Sequence, residues 1–169
     1  MKTYQAISVP LMLVAFGPSA LAADQTYEFT LPSKVEIRII ESSFGERPRS
    51  ACPGSAIAAK DGAYKPKTYV KSIQASYQGH AILFDVTCMT DAWNGRPLQH
   101  ANGPRYFGGW CEILQTRVPQ CAFRGVFADG SEAFVAEWWS SGSKARRTVF
   151  SSSSDLVDLF LLKIDPPRY

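Results

Sequence analysis

Residues 120–128 (QCAFRGVFA), the dipeptide Asp129-Gly130 and residues 131–140 (SEAFVAEWWS) decide the fold. Two apolar runs flank Asp-Gly, a pair that tolerates the positive φ of a two-residue hairpin turn. The segment therefore predicts two adjacent antiparallel strands. Downstream, Ser141-Gly142-Ser143 reads as a second turn leading into a strand over 146–151. Upstream, residues 67–77 alternate polar and apolar. Gln78-Gly79 then turns the chain into 80–90, where Ile82, Phe84, Val86 and Cys88 would share one face. Tyr27-Glu28-Phe29-Thr30-Leu31 alternates likewise, and Val35, Ile37 and Ile39 face opposite to Lys34, Glu36 and Arg38. Residues 45–66 hold Pro48, Pro53, Gly54, Gly62 and Pro66 and read as loop.

One helix is expected, over about 154–164. Ser151 to Ser154 offer N-caps, and Asp155 and Asp158 place negative charge in the first turn, where the helix dipole favours it. Leu156, Leu159, Phe160 and Lys163 recur at helical spacing, Val157, Leu161, Leu162 and Ile164 widen the apolar surface, and Pro166-Pro167 ends the helix. So apolar a helix should cover one face of the sheet, with Leu159 and Phe160 among its core residues. The expected fold class is α+β: a mainly antiparallel sheet of about six to seven strands packed by a C-terminal α-helix.

Cys121-Ala122-Phe123-Arg124-Gly125-Val126-Phe127, Phe134-Val135-Ala136-Glu137-Trp138, Arg147-Thr148-Val149, Asp155-Leu156-Val157-Asp158-Leu159-Phe160 and Ile164-Asp165-Pro166-Pro167 together carry a resemblance. This stretch resembles the C-terminal half of small exported bacterial proteins of unassigned function. The resemblance implies a bacterial periplasmic origin and brings no catalytic residues.

The N-terminus agrees with export. Residues 1–22 read as a signal peptide: Lys2 in a short n-region, an apolar run from Ala6 to Phe16, a break at Gly17-Pro18, and Ala20-Leu21-Ala22 before the cleavage point. The apolar run is about eleven residues, whereas a bilayer span needs roughly twenty, so no membrane span is expected once the leader is removed. Residues 23–169 would form one domain, periplasmic or secreted. The chain has 169 residues and a net charge of +3, too weak and too dispersed to argue for nucleic acid. Lys144, Arg146 and Arg147 read as a solvated turn and strand end.

Four cysteines in an exported chain read as two disulfides. Three pairings are open; Cys111–Cys121, close in sequence, and Cys52–Cys88 are favoured. No C-x-x-C occurs and His80 and His100 are the only histidines, so no metal and no cofactor is expected.

No catalytic set stands out. Ser141-Gly142-Ser143-Lys144 matches S-x-x-K but lies in a turn between strands rather than opening a helix. His80 and Asp85 sit five residues apart on one strand, hence on opposite faces. Glu132 with Glu137, or Asp85 with Asp91, have no sequence reason to pair as glycosidase carboxylates. If Glu137 faces the core it needs a partner, Arg124 or Arg147. Trp138 and Trp139 must point to opposite faces.

Residues 91–110 are the unusual segment, read as one long loop mixing Trp, Tyr, Arg and Gly. Trp93, Arg96, His100, Arg105, Tyr106 and Trp110 are the candidate binding residues, with Arg105 and Tyr106 expected to be exposed. Trp93, Phe107 and Trp110 could instead fold back beneath the loop as satellite core. These features together favour a non-catalytic periplasmic domain that binds a protein partner, such as an immunity or inhibitor protein against a toxin or wall hydrolase. A carbohydrate or cell-wall ligand module, and a small hydrolase whose site is not readable linearly, are the alternatives. Oligomeric state is not legible.

Overall fold

In a computed structural model, the structure describes residues 24–44, 66–92, 106–113, 118–128 and 132–168. Eight strands form one sheet: β1 (Gln25–Thr30), β2 (Glu36–Ser43), β3 (Thr68–Tyr77), β4 (His80–Phe84), β5 (Phe107–Ile113), β6 (Pro119–Phe127), β7 (Phe134–Ser141) and β8 (Lys144–Ser151). One helix runs its full length among the described residues, α1 (Ser154–Leu162), and follows β8. The strand order is β1-β2-β3-β4-β8-β7-β6-β5. Two antiparallel meanders are therefore joined edge to edge by β4 and β8, whose short pairing is parallel.

The α+β class with a C-terminal helix holds, but there are eight strands and the sheet is mixed. The additional strand is β5, whose first four residues lie within the segment read as loop. Its start, Phe107-Gly108-Gly109-Trp110, has no alternation to detect because two of its four positions lack side chains. The glycines are needed there. A Cβ on Gly108 would stand 2.5 Å from the carbonyl oxygen of Ile164, and one on Gly109 would stand 2.4 Å from the Phe123 ring. The strand expected over 80–90 ends at Phe84. Beyond it the Asp85 carboxylate accepts the Thr87 amide at 3.0 Å, and Cys88 takes a positive φ of 64°, so Val86 and Cys88 leave the ladder. The Gln78-Gly79 turn forms as expected, with both residues at positive φ. The Asp129-Gly130 turn lies outside the described residues; β6 and β7 pair antiparallel as expected, but Phe127 stands opposite Phe134, two positions beyond the register that a two-residue turn there would set.

The sheet curls into a half-barrel whose two edges approach each other. Phe29 of β1 meets Phe107 of β5 edge to face at 5.8 Å, and Ser33 Oγ donates to the Gly109 carbonyl at 2.7 Å. The concave face holds the main core. Ile37, Ile39, Ile73 and Ile82 fill it from β2 to β4, while Phe107, Phe123, Phe127, Phe134 and Trp138 fill it from β5 to β7. Trp138 faces inward and is fully buried, and its indole N–H donates to the Asp85 carbonyl at 2.8 Å. Trp139 faces outward, as adjacency requires, and packs edge to face on Trp110.

A second, smaller core lies on the convex face, where Val157 and Phe160 of α1 meet Val126 and Val135. Leu159 is not part of it. That side chain is 45% exposed, because Val157 and Phe160, with Leu156 and Ile164 packed beside them, take the sheet-facing side. Cys111 and Cys121 lie directly opposite each other on β5 and β6 and form a disulfide, with 4.2 Å between Cα atoms. Cys88 is also disulfide-bonded; Cys52, its expected partner, lies outside the described residues, as does the leader. No helix among the described residues is long and apolar enough to cross a membrane.

Candidate functional site

The segment after β4 is pinned where it leaves the sheet. Asp91 is buried and adopts a positive φ of 47°. Its Oδ1 accepts the amides of Lys67 at 2.9 Å and Thr68 at 2.7 Å, and its own amide donates to the Thr68 carbonyl at 3.1 Å. The next residue, Ala92, is buried, and its carbonyl accepts the Ala128 amide at 2.7 Å. The chain re-enters the described structure at Tyr106, and Phe107 pairs with Gly125. Both ends of residues 93–105 are thus fixed at the same end of β6, three positions apart along that part of the chain.

A buried polar group lies beside Asp91. The inward side of β2 continues from Ile37 and Ile39 to Glu41, which is 1% exposed. Thr68 Oγ1 lies 2.6 Å from Glu41 Oε1 and 3.1 Å from Asp91 Oδ1. A hydroxyl has one proton, so the shorter contact to Glu41 takes it while the backbone amides serve Asp91. The Tyr27 hydroxyl donates to Gln25 Oε1 at 2.8 Å and stands 3.4 Å from Glu41 Oε2. Burial, and then the neighbouring Glu41 charge, push Tyr27 up to about 12. The sequence signal for this group was present: Glu41 occupies the next inward place after Val35, Ile37 and Ile39.

The far end of the sheet is clasped by the C-terminal chain. Trp110 is buried in β5 on the convex face, and its indole N–H lies 3.1 Å from the Pro166 carbonyl and 3.3 Å from that of Pro167. Arg124 links the sheet to α1. It pairs with Glu137 Oε2 at 2.5 and 2.9 Å, donates to the Lys163 carbonyl at 2.7 Å, and covers the Phe160 ring at 4.1 Å. Glu137 therefore has the arginine partner its position demanded, beneath the helix rather than in the concave core. On the next strand pair, Arg147 donates to the Thr87 carbonyl at 2.5 Å and lies over Phe150. Burial pushes the Asp85 carboxyl up, but the Thr87 hydrogen bonds and the Arg147 charge outweigh it, leaving the group below its ordinary value.

Of the sequence-derived candidates, Trp93, Arg96, His100 and Arg105 lie outside the described residues. Tyr106 was expected to be exposed; it is half-buried and packs on the α1 cluster. Trp110 is likewise part of the fold, because β5 begins three residues before it and buries the ring under the C-terminal chain. His80 and Asp85 are both exposed, at opposite ends of β4. Ser141 and Lys144 end and begin strands on either side of Gly142, whose φ is +105°, so S-x-x-K forms a turn. Among the described residues no three His, Cys, Asp or Glu side chains gather as a metal site would require. No protein-family model, no curated protein and no solved structure matches the chain.

Proposed function

We propose that this protein is a non-catalytic binding domain of the bacterial periplasm that acts through protein–protein contact, as an immunity or inhibitor protein capping a toxin or wall hydrolase. The supporting observation is the pinning of both ends of residues 93–105 to one end of β6, through Ala92 to Ala128 and Phe107 to Gly125. A segment with fixed ends loses less conformational freedom when it binds, and loops on rigid scaffolds commonly carry function. The residues between the anchors include Trp93, Arg96, His100 and Arg105, and Trp and Arg are the types that most often dominate binding energy. The aromatic filling of the concave face favours a surface site over a ligand held inside the sheet. The reading of residues 1–22 as a leader supports the compartment.

Titration calorimetry against a panel of periplasm-acting toxins and wall hydrolases, with a thermal melt beside it, tests this. One of them should bind and be inhibited. Replacing Trp93 and Arg105 by Ala should weaken binding by about 1–4 kcal/mol without moving the melt. Binding to peptidoglycan fragments instead, lost with Trp93→Ala, would establish the carbohydrate reading. A partner held equally well by the double variant would remove this segment from the site.

A further inference from the structure

Helix α1 is held to the sheet by Val157, Phe160 and the Arg124 clamp, and its opposite side carries a pattern of its own. Successive residues advance by about 100° around a helix. Asp155, Leu159 and Leu162 therefore fall within about 60° of one another, with Asp158 and Lys163 flanking them. Leu159 is 45% exposed and Leu162 83%, and the three charged side chains are exposed as well. None of those three lies within ion-pair distance of an opposite charge among the described residues.

We propose that this face is the contact of a two-fold homodimer, in which α1 packs antiparallel against α1 of a second copy with Leu159 at the axis. The argument for a second copy is charge complementarity. Asp155 and Lys163 stand four residues to either side of Leu159. Antiparallel pairing about Leu159 brings Asp155 of each copy beside Lys163 of the other, and the two-fold repeats the pair. A parallel arrangement would set like charges against each other. The two aspartates on this face oppose an anionic lipid surface as the alternative occupant. A helix of nine residues buries far less than the roughly 1,200 Å² of a stable interface, so the dimer is weak and concentration-dependent.

Sedimentation equilibrium of the purified protein from about 10 μM to about 1 mM spans the range of weak association. The apparent mass should climb towards that of a dimer. Leu162→Glu should hold it at the monomer mass with an unchanged melt, since that side chain makes little contact within its own copy. Asp155→Lys or Lys163→Glu alone should weaken association by about five- to tenfold through the two symmetric pairs. The double variant D155K/K163E restores complementarity and should return to within about threefold of the parent. A constant monomer mass at every concentration overturns the proposal. So does a dimer that survives Leu162→Glu, or a double variant weaker than either single one.

Discussion

Strands β1–β4 and strands β5–β7 are built on the same backbone ladder but live in different surroundings. β2 reads alternately exposed and buried over its first four residues, because its convex face carries Glu36 and Arg38 into water. β6 is buried at seven of its nine positions and half-buried at the other two. Its concave side meets the aromatic core, and its convex side lies under α1 and the C-terminal chain. The difference teaches where sequence periodicity is informative. A strand with one wet face alternates, whereas a strand covered on both sides reads as a continuous apolar run, whichever element supplies the second cover.

The comparison is sharpest at the helix. If β6 and β7 depend on their convex cover, Phe160→Ala should cost about 3–5 kcal/mol in chemical denaturation, the range for truncating a buried aromatic. Leu159→Ala, one residue away on the exposed side, should stay within about 0.5 kcal/mol. Equal effects would mean that α1 is docked by another face. Next comes the clamp. Arg124 and Glu137 are largely shielded from water, at 11% and 23% side-chain exposure. A double-mutant cycle with Arg124→Ala and Glu137→Ala should return a coupling of about 1–3 kcal/mol. A value near zero would show that the cover is apolar only.

Two smaller effects probe the interior. The Ser140 hydroxyl is buried and meets no hydrogen-bond partner among the described residues. Ser140→Ala should therefore raise stability, by about 1 kcal/mol, where most core changes lower it. The last effect belongs to the other half and appears only in alkali. Tyr27 is raised from 10 to about 12, so the unfolded chain ionises first as pH rises. Stability contributed by the neutral hydroxyl is complete below pH 10 and declines from there towards about 12. Tyr27→Phe should flatten that decline in denaturation midpoints measured across the interval. An unchanged slope would remove Tyr27 from the buried polar group.

These contrasts also explain how much was legible. Seven strands, the Cys111–Cys121 bridge, the helix and the division of Trp138 from Trp139 follow from alternation, spacing and adjacency. β5 did not follow, because Gly108 and Gly109 erase the pattern and its paired strand β6 has no alternation either. The orientation of α1 was missed for a related reason. With Leu or Phe on nearly every side, periodicity cannot say which residues face the sheet, and only packing singles out Val157 and Phe160. At the candidate site, Tyr106 and Trp110 looked like loop residues because the strand that buries them was invisible. The polar group of Tyr27, Glu41, Thr68 and Asp91 is scattered over residues 27–91, and only the pairing of β1, β2 and β3, with the Tyr69–Thr90 bridge beside them, assembles it.

The parallel join between β4 and β8 has a consequence for how the molecule assembles and opens. It consists of Leu83 opposite Lys144 and Phe84 opposite Ala145, with the Leu83 amide on the Ser143 carbonyl at 2.8 Å and the Asp85 amide on the Ala145 carbonyl at 3.0 Å. Each meander pairs strands that are successive in the chain, so each can nucleate from short-range contacts. The join connects positions about sixty residues apart and must await both, since closing so long a loop costs entropy that only a completed docking surface offsets. The two meanders are the natural cooperative units of this sheet. In native-state hydrogen exchange the amides of Leu83 and Asp85 should exchange together, with one shared opening energy, ahead of the central amides of either meander.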